Sequence, residues 1–407
     1  MSEQKQKIAI FVDTRKESGG EYQHLLYTIR NIKKSNKENY KFLIICTSKK
    51  LNLNLKDENF ELHYFSMNAV ERYICYLRNF GPLIRRLKKY FFIKNKFESF
   101  LKKKNVDLVY FLSPSQYSLY LEDTKFFITV PDVDHREYLE FPEVVGSAEF
   151  ERKHEIFSKA LPKALAVITH ADIIKRRLCS FYNISSNRIY IIVLRPALSV
   201  ENFSQPDLKK QNFFEKKFKL PKKYIYYPGM YLPHKNHKSL IDALKIMKDN
   251  FNMKINVVFS GSDTGYKKNL INYANKLGIQ KDVIFLDFVE DEALPYLYKN
   301  ALILVNLQLI GPTAIPPFEA FKMNVPVIVS ELDGLKEFYG DAVFYVNPMN
   351  PQAIAAATKE ILENNDLRSK LVKSGKKISE DIKGKDDYSQ IFKIINDYRR
   401  INSTWAL

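Results

Sequence analysis

Short unbroken apolar runs, each followed by a stretch of helical periodicity, recur along the 407-residue chain, and that alternation decides its fold class. Lys7–Asp13 (KIAIFVD) is the first such run. A strand covered on both faces reads as continuous Val, Ile and Phe, because neither side meets water. Further runs stand at Phe42–Cys46, Leu108–Leu112, Phe126–Val130, Ala164–Thr169 and Ile189–Leu194. Helical periodicity fills the gaps at Tyr22–Lys34, within Val70–Asn105, and at Ala148–Ala160 and Ala171–Tyr182. Strands alternating with helices predict a parallel sheet wound on both faces.

The pattern lapses over Ser199–Pro221, which is polar and carries Pro206 and Pro221 around a lysine-rich middle. It then restarts. Strand runs follow at Tyr224–Tyr227, Ile255–Ser260, Val283–Phe285, Leu302–Val305, Val325–Val329 and Val343–Val346. Helices are expected at Lys238–Asp249, Lys267–Lys276, Pro317–Lys322 and Gln352–Glu363, the last with Asn350 as N-cap and Pro351 at its first position. The α/β chain is therefore read as two Rossmann-like, doubly wound parallel-sheet domains facing each other across a cleft. Residues 1–200 form the first and 223–382 the second, with a linker at 201–222. Residues 383–407, with an amphipathic stretch at Tyr388–Arg400, are expected to return to the first.

Charge bears on partners. The formal net charge is +18, and residues 1–200 hold 34 Lys+Arg against 22 Asp+Glu. Within Val70–Asn105, 11 basic residues meet only Glu71 and Glu98, interleaved with Tyr73, Tyr76, Phe80, Leu83, Leu87, Tyr90, Phe91 and Phe92. Such interleaving suits peripheral contact with an anionic membrane; a solvated helical face in a lysine-rich chain is the plainer alternative. No helix-turn-helix, zinc-finger or RNP pattern accompanies the charge, so nucleic acid is not expected. Cys46, Cys75 and Cys179 lack CxxC spacing, which argues against a disulfide framework or a structural zinc. No run of about 18 apolar residues occurs, and MSEQKQKIAIFVD has no signal-peptide core. The expectation is a cytoplasmic protein, peripheral on the inner face of the cell membrane.

Ligands of such sheets bind beyond the carboxyl ends of the strands, so the loops there carry the candidate chemistry. Asp13–Gly20 (DTRKESGG) joins a strand to a helix, where Gly19 and Gly20 would let backbone amides approach an anion; a plain tight turn fits as well. Pro131–Val144 (PDVDHREYLEFPEV) directs Asp132, His135 and Arg136 toward the mouth of the cleft. Asp132 and Asp134 are formally a DxD, yet two carboxylates at that spacing are common by chance, and no metal is expected. A lone histidine is more often structural, but His135 stands between Asp132 and Arg136 in a strand-end loop. Pro228–His237 (PGMYLPHKNH) puts Lys235 and Asn236 at a helix start, where a lysine can neutralise a diphosphate or simply be solvated. Gly261 opens another small-residue loop. Gly311, Pro312, Thr313 and Ala314 precede Pro316 and Pro317, which start a helix with Glu319 in its first turn. That carboxylate can hold vicinal ribose hydroxyls, or merely complement the helix dipole.

Together these residues resemble the retaining glycosyltransferases of family 4, which have the two-Rossmann GT-B architecture. The resemblance is densest from Tyr226 to Glu363, and GPTAIPPFEA corresponds to the family's EGFGLPPLEA-type signature. A bacterial subgroup with HKNH, GPTxxPPxEA and DxxHRxxxEFPEV stretches is the nearest likeness, matched here by His234–His237, Gly311–Ala320 and Asp132–Val144. The resemblance implies that Lys235 binds the donor diphosphate and Glu319 the donor ribose, and that His135 lies near the transferred sugar. It also implies that Gly19, Gly20, Thr313 and Ala314 present backbone to the donor. The remaining donor-site candidates are Asp132, Arg136, Asn236, Gly261, Gly311 and Pro312. Gly311 replaces the family's first glutamate. Gly229-Met230 replaces an arginine, for which Arg195 or Arg136 could compensate, and Gln308 stands where a serine is common.

The activity implied is metal-independent, retaining transfer of a hexose from a UDP- or GDP-linked donor, without a cofactor. The acceptor would be a glycan or lipid-linked saccharide of bacterial surface polysaccharide synthesis. Two alternatives remain open at this point: a sugar-nucleotide epimerase on the same architecture, and a non-catalytic protein binding a sugar nucleotide or another polyanion.

Overall fold

The structure, a computed structural model, describes residues 5–13, 19–34, 40–49, 60–80 and 94–404. The chain divides into two compact units. The first comprises Met1–Glu137, Val145–Val193 and Asp386–Leu407, and the second Tyr138–Val144 and Leu194–Lys385.

The first unit is built on a seven-stranded sheet. Its strands are β1 (Gln6–Val12), β2 (Tyr40–Cys46), β3 (Phe60–Tyr64), β4 (Leu108–Phe111), β5 (Lys125–Thr129), β6 (Val167–Thr169) and β7 (Ile189–Ile191). They lie in the order β3-β2-β1-β4-β5-β6-β7, every pairing parallel. The central runs are almost wholly buried because helices cover both faces; Ile8, Ala9, Ile10, Leu43, Ile44 and Val109 are at most 1 % exposed. Helix Ser389–Asn402 belongs to this unit. Tyr388 just before it lies against the His24 and Tyr27 rings, and Gln390 donates to the Ile191 carbonyl at 2.9 Å.

The second unit has six parallel strands: β8 (Tyr224–Pro228), β9 (Asn256–Ser260), β10 (Val283–Leu286), β11 (Ala301–Asn306), β12 (Val327–Ser330) and β13 (Phe344–Val346). Their order is β10-β9-β8-β11-β12-β13. Two doubly wound parallel sheets are thus present, as expected, and each reverses its winding once, between β1 and β4 in one and between β8 and β11 in the other. The Asn350 carboxamide accepts from the Ala353 amide at 3.1 Å, with Pro351 first in helix Pro351–Glu363.

Several elements were not read from the sequence, among them the short helices Leu198–Glu201, Leu294–Lys299 and Leu335–Tyr339, and three further differences have a clear physical reason. Strand β3 is an edge strand with only Phe60 buried, so it has no continuous apolar run. The expected linker holds helix Leu208–Phe218, which counts with the second unit. Its cap is Asp207, accepting from the Lys209 amide at 2.8 Å, and only Phe214 on it is fully buried. Helix Asn365–Gly384 went unseen because its buried stripe is only Leu371, Gly375 and Ile382. Gly375 is obligatory there, since a Cβ would run into the Phe321 ring.

Of the basic segment 70–105, residues 81–93 lie outside the described residues. On either side stand helices Ala69–Phe80 and Lys96–Lys103, the first exposing Val70 and Tyr73. Among the described residues, no helix is long and apolar enough to cross a membrane.

Candidate functional site

In an open parallel sheet the crevice that receives ligands lies beyond the carboxyl ends of the strands where the winding reverses. In the second unit that point is β8 and β11, and two of the loops singled out from sequence leave from it. Tyr227, near the end of β8, sits beneath both. Its buried hydroxyl donates to the Lys235 carbonyl and accepts from the Leu307 amide at 3.2 Å. The ring stacks on His237, centroids 4.8 Å apart.

Above that hydroxyl the two loops join through side chains. The Lys235 ammonium donates to the Gln308 carboxamide oxygen at 3.1 Å. The Gln308 amide nitrogen donates to the Gly311 carbonyl and reaches the Thr313 carbonyl at 3.5 Å, while Ser330 Oγ donates to the Gln308 backbone carbonyl at 2.6 Å. Gln308 is 2 % exposed, so every polar group it carries has to find a partner inside. Backbone closes the other side, with the Leu309 amide donating to the His234 carbonyl at 2.7 Å. Lys235 is partly exposed, and Gly311 holds φ +85°, a left-handed conformation that favours glycine.

Asn236 is differently employed. It is buried in the left-handed region at φ +54°; its amide donates to the Pro348 carbonyl and its oxygen accepts from Ser239 Oγ, both at 2.7 Å. Its side chain anchors the helix start. Gly261 is required by packing, because a Cβ would overlap the Gly229 carbonyl and the Met230 amide of the neighbouring loop. Pro312 is buried, and the Ala314 carbonyl accepts from Tyr339 Oη at 3.2 Å.

Glu319 stands in the first turn of helix Pro316–Lys322, as its sequence position implied, but inside the unit. One carboxylate oxygen accepts from the Ala197 amide at 3.0 Å and the other from Tyr298 Oη. Burial pushes its pKa up, against the pull of those two hydrogen bonds. Arg195, the expected compensating cation, is engaged inside the second unit. The residue is 8 % exposed, and its guanidinium donates to the carbonyls of Ile382 at 2.7 Å and Lys385 at 2.6 Å, because the chain enters the second unit at Leu194 and leaves it at Lys385.

In the first unit the Pro131–Arg136 loop follows β5. Asp132 pairs with Lys153 at 3.0 Å. Burial would raise Asp132 and lower Lys153, but their mutual attraction prevails, holding the carboxyl down and the ammonium up. His135 is closed off, not displayed at an open mouth: it is 0 % exposed, its Nε2 lies 2.6 Å from Tyr182 Oη, and Phe157 meets it edge-on at 5.0 Å. Burial, then the Lys153 charge, bring its pKa down to about 4, so the ring is neutral at physiological pH. Its Nδ1 has no hydrogen-bond partner among the described residues. Arg136 is exposed, 5.9 Å from the Phe181 ring centre and 6.0 Å from that of Tyr182. Gly19, at φ +59°, and Gly20 open helix Gly20–Lys34 and are exposed; residues 14–18 of that loop lie outside the described residues. No three His, Cys, Asp or Glu gather to hold a metal among the described residues.

The residues the sequence did not mark as functional are Gln308, Tyr227 and Glu143. Gln308 was visible only as a departure from a common serine. Its position, two residues past the end of a buried strand at the reversal point, was the available signal. Glu143 lay within a quoted motif, with nothing in the sequence to say what it touches.

Residues 209–378 match the family model described as Glycosyl transferases group 1. The chain is similar to the O-antigen chain mannosyltransferase RfbU of Salmonella typhimurium, 29 % identical over 204 residues, which are 50 % of this chain and 53 % of that protein. It is also similar to the capsular polysaccharide biosynthesis glycosyltransferase CapH of Staphylococcus aureus, 25 % identical over 272 residues, 66 % of this chain and 72 % of that one. The match to RfbU spans about half the length of that relative. In fold, the sucrose-phosphate synthase of Thermosynechococcus elongatus superposes with a TM-score of 0.73, covering 98 % of this chain and 100 % of that one at 14 % identity. This likeness extends the two-Rossmann-domain fold over the whole chain.

Proposed function

We propose that this chain is a glycosyltransferase of bacterial surface polysaccharide synthesis, moving a sugar from a nucleoside diphosphate donor to a glycan or lipid-linked acceptor. The observation that carries the reading is the Lys235–Gln308–Gly311 chain of hydrogen bonds at the reversal point of the second sheet. It lies inside the stretch that matches the glycosyltransferase model, and the relatives' names supply the polysaccharide context.

The chemical problem of such a transfer is the departing diphosphate. An ammonium held in a fixed place stabilises charge where it develops, with no reorganisation at the moment of reaction. Lys235 is that cation, and Gln308 keeps it extended toward the Gly311–Thr313 loop. We place the donor on the second unit and the acceptor on the first. The transfer proceeds with retention, without a metal ion or cofactor, and draws on a UDP- or GDP-linked hexose. His135, a neutral imidazole, meets a sugar or acceptor hydroxyl only by a movement of the loop after β5 that uncovers it, since it is 0 % exposed and bonded to Tyr182. Glu319 meets the donor ribose only by exchanging its bonds to Ala197 and Tyr298. The basic segment 70–105 holds the protein peripherally on the inner face of an anionic membrane, where a lipid-linked acceptor resides.

The test is release of nucleoside diphosphate by the purified protein from UDP-, GDP- and ADP-sugars, alongside Lys235→Ala. Release from one donor, lost in the variant, is the expected result. No release from any donor, and no thermal shift with any nucleotide sugar, would remove the transferase reading.

A further inference from the structure

The second unit contains one short piece of chain set apart in sequence from the rest of it. Tyr138–Val144 packs with it, although the residues on either side, through Glu137 and from Val145, belong to the first unit. Such an excursion needs something to hold it, and Glu143 supplies the bond. One of its carboxylate oxygens accepts both the His234 backbone amide at 2.9 Å and the His234 Nδ1–H at 2.5 Å. Both side chains are 14 % exposed, so water competes little for the pair. Two residues earlier, the Phe141 ring meets the His234 imidazole nearly edge-on, centroids 6.3 Å apart.

His234 is the residue before Lys235, and it is gripped on both sides. Glu143 takes its amide, and the Leu309 amide takes its carbonyl at 2.7 Å. A peptide held at its N–H and its C=O has little freedom left in φ and ψ, and the direction of the next Cα–Cβ bond follows. A carboxylate beside a diphosphate site is electrostatically unfavourable for the ligand, so its presence calls for a geometric purpose. We propose that Glu143 is a positioning residue for Lys235, and that the anion site of the second unit is completed by this strap from the amino-terminal half. The inference rests on the donor-site reading above and adds a residue and a connection to it.

The experiment uses the full chain and titrates UDP, GDP, UMP and GMP calorimetrically into the wild type, Glu143→Ala, Glu143→Gln, Lys235→Ala and the Glu143→Ala/Lys235→Ala double variant. Lys235 acts on the diphosphate, so Glu143→Ala weakens the preferred diphosphate about tenfold, as loss of a charged hydrogen bond would. It leaves the matching monophosphate unchanged. Glu143→Gln keeps an acceptor for both His234 donors and restores most of the diphosphate affinity. Once Lys235 is gone, removing Glu143 has no further effect, since the two act through one contact. Equal weakening of mono- and diphosphate, or additive losses in the double variant, would make Glu143 a general structural residue and overturn the proposal. If the wild type binds a diphosphate and Glu143→Ala binds it equally well, the proposal alone fails. If the wild type binds no nucleoside diphosphate, the donor-site reading fails and takes this inference with it.

Discussion

The polar groups at the carboxyl edges of the two sheets are organised in opposite ways. In the first unit they close on one another: Asp132 on Lys153, His135 on Tyr182, and Asp13 on Thr47 Oγ1 at 2.7 Å and Ser115 Oγ at 2.9 Å. In the second they form a line, Glu143 to His234 and Lys235 to Gln308 to Gly311, whose middle member is a partly exposed ammonium. Closed pairs neutralise their own charge and hold shape. A line with a cation in it keeps positive charge available to an anion, and holds that charge in one place. The same doubly wound architecture thus carries closed pairs at one edge, with Arg136 exposed beside them, and at the other a line that fixes the partly exposed Lys235 ammonium.

The comparison is most directly broken at Lys235. Lys235→Ala is expected to lower kcat/KM for the donor about 100-fold or more, the scale seen when a fixed charge stabiliser is removed; a steady-state assay with the nucleotide sugar that the wild type uses measures it. A loss below threefold would place the functional anion site elsewhere. Gly261→Ala tests the packing on which the line depends. Its methyl has no room beside the Gly229 carbonyl, and destabilisation of about 1–3 kcal/mol is expected by denaturant unfolding. Gln308→Ala leaves the Lys235 ammonium and the Gly311 carbonyl without their shared partner. The expected effect is a donor KM raised about tenfold together with a stability loss of about 1–3 kcal/mol by denaturant unfolding, and a shifted kcat at constant KM would contradict the positioning account.

The last test separates the units by acid. Burial, and for His24 the adjacent His170, hold His24 well below the ordinary histidine value of 6.5, while burial brings His170 down to about 4. On acidification the unfolded chain takes up these protons first. The stability they preserve is therefore present above about pH 6.5 and is lost as the pH falls toward 4. Among the described residues the first unit carries three such buried histidines, His135 with these two, and the second carries His237, brought down to about 3 by burial and then by the Lys235 charge. Hydrogen exchange compared at pH 7 and pH 5 should show protection lost earlier in β5 and β6 than in β8 and β11. Equal loss in both would remove the distinction.

Much of this was legible in the residues themselves. A strand covered on both faces writes its burial into consecutive apolar positions, which is why every strand of the second unit showed while the edge strand β3, wet on one side, did not. Asn350 and Pro351 announced their helix because a cap is a local hydrogen bond. Lys235, Gly311 and Glu319 could be picked out because loops after strands of a doubly wound sheet have a known direction. What a buried side chain bonds to was not legible. Glu319 and Arg195 look available for ligands in sequence, yet in the folded chain they are bonded to Ala197 and Tyr298, and to Ile382 and Lys385. Those partners are from 21 to 190 residues away, and no local pattern encodes a contact at that separation. The sequence by itself determined two parallel α/β sheets and the strand ends at which chemistry belongs, because both follow from the period of burial along the chain. Only the tertiary structure decided that Glu143, ninety-one residues before His234, holds the turn that carries Lys235. Two hydrogen bonds to one carboxylate oxygen are made by proximity in space, and proximity is what folding adds.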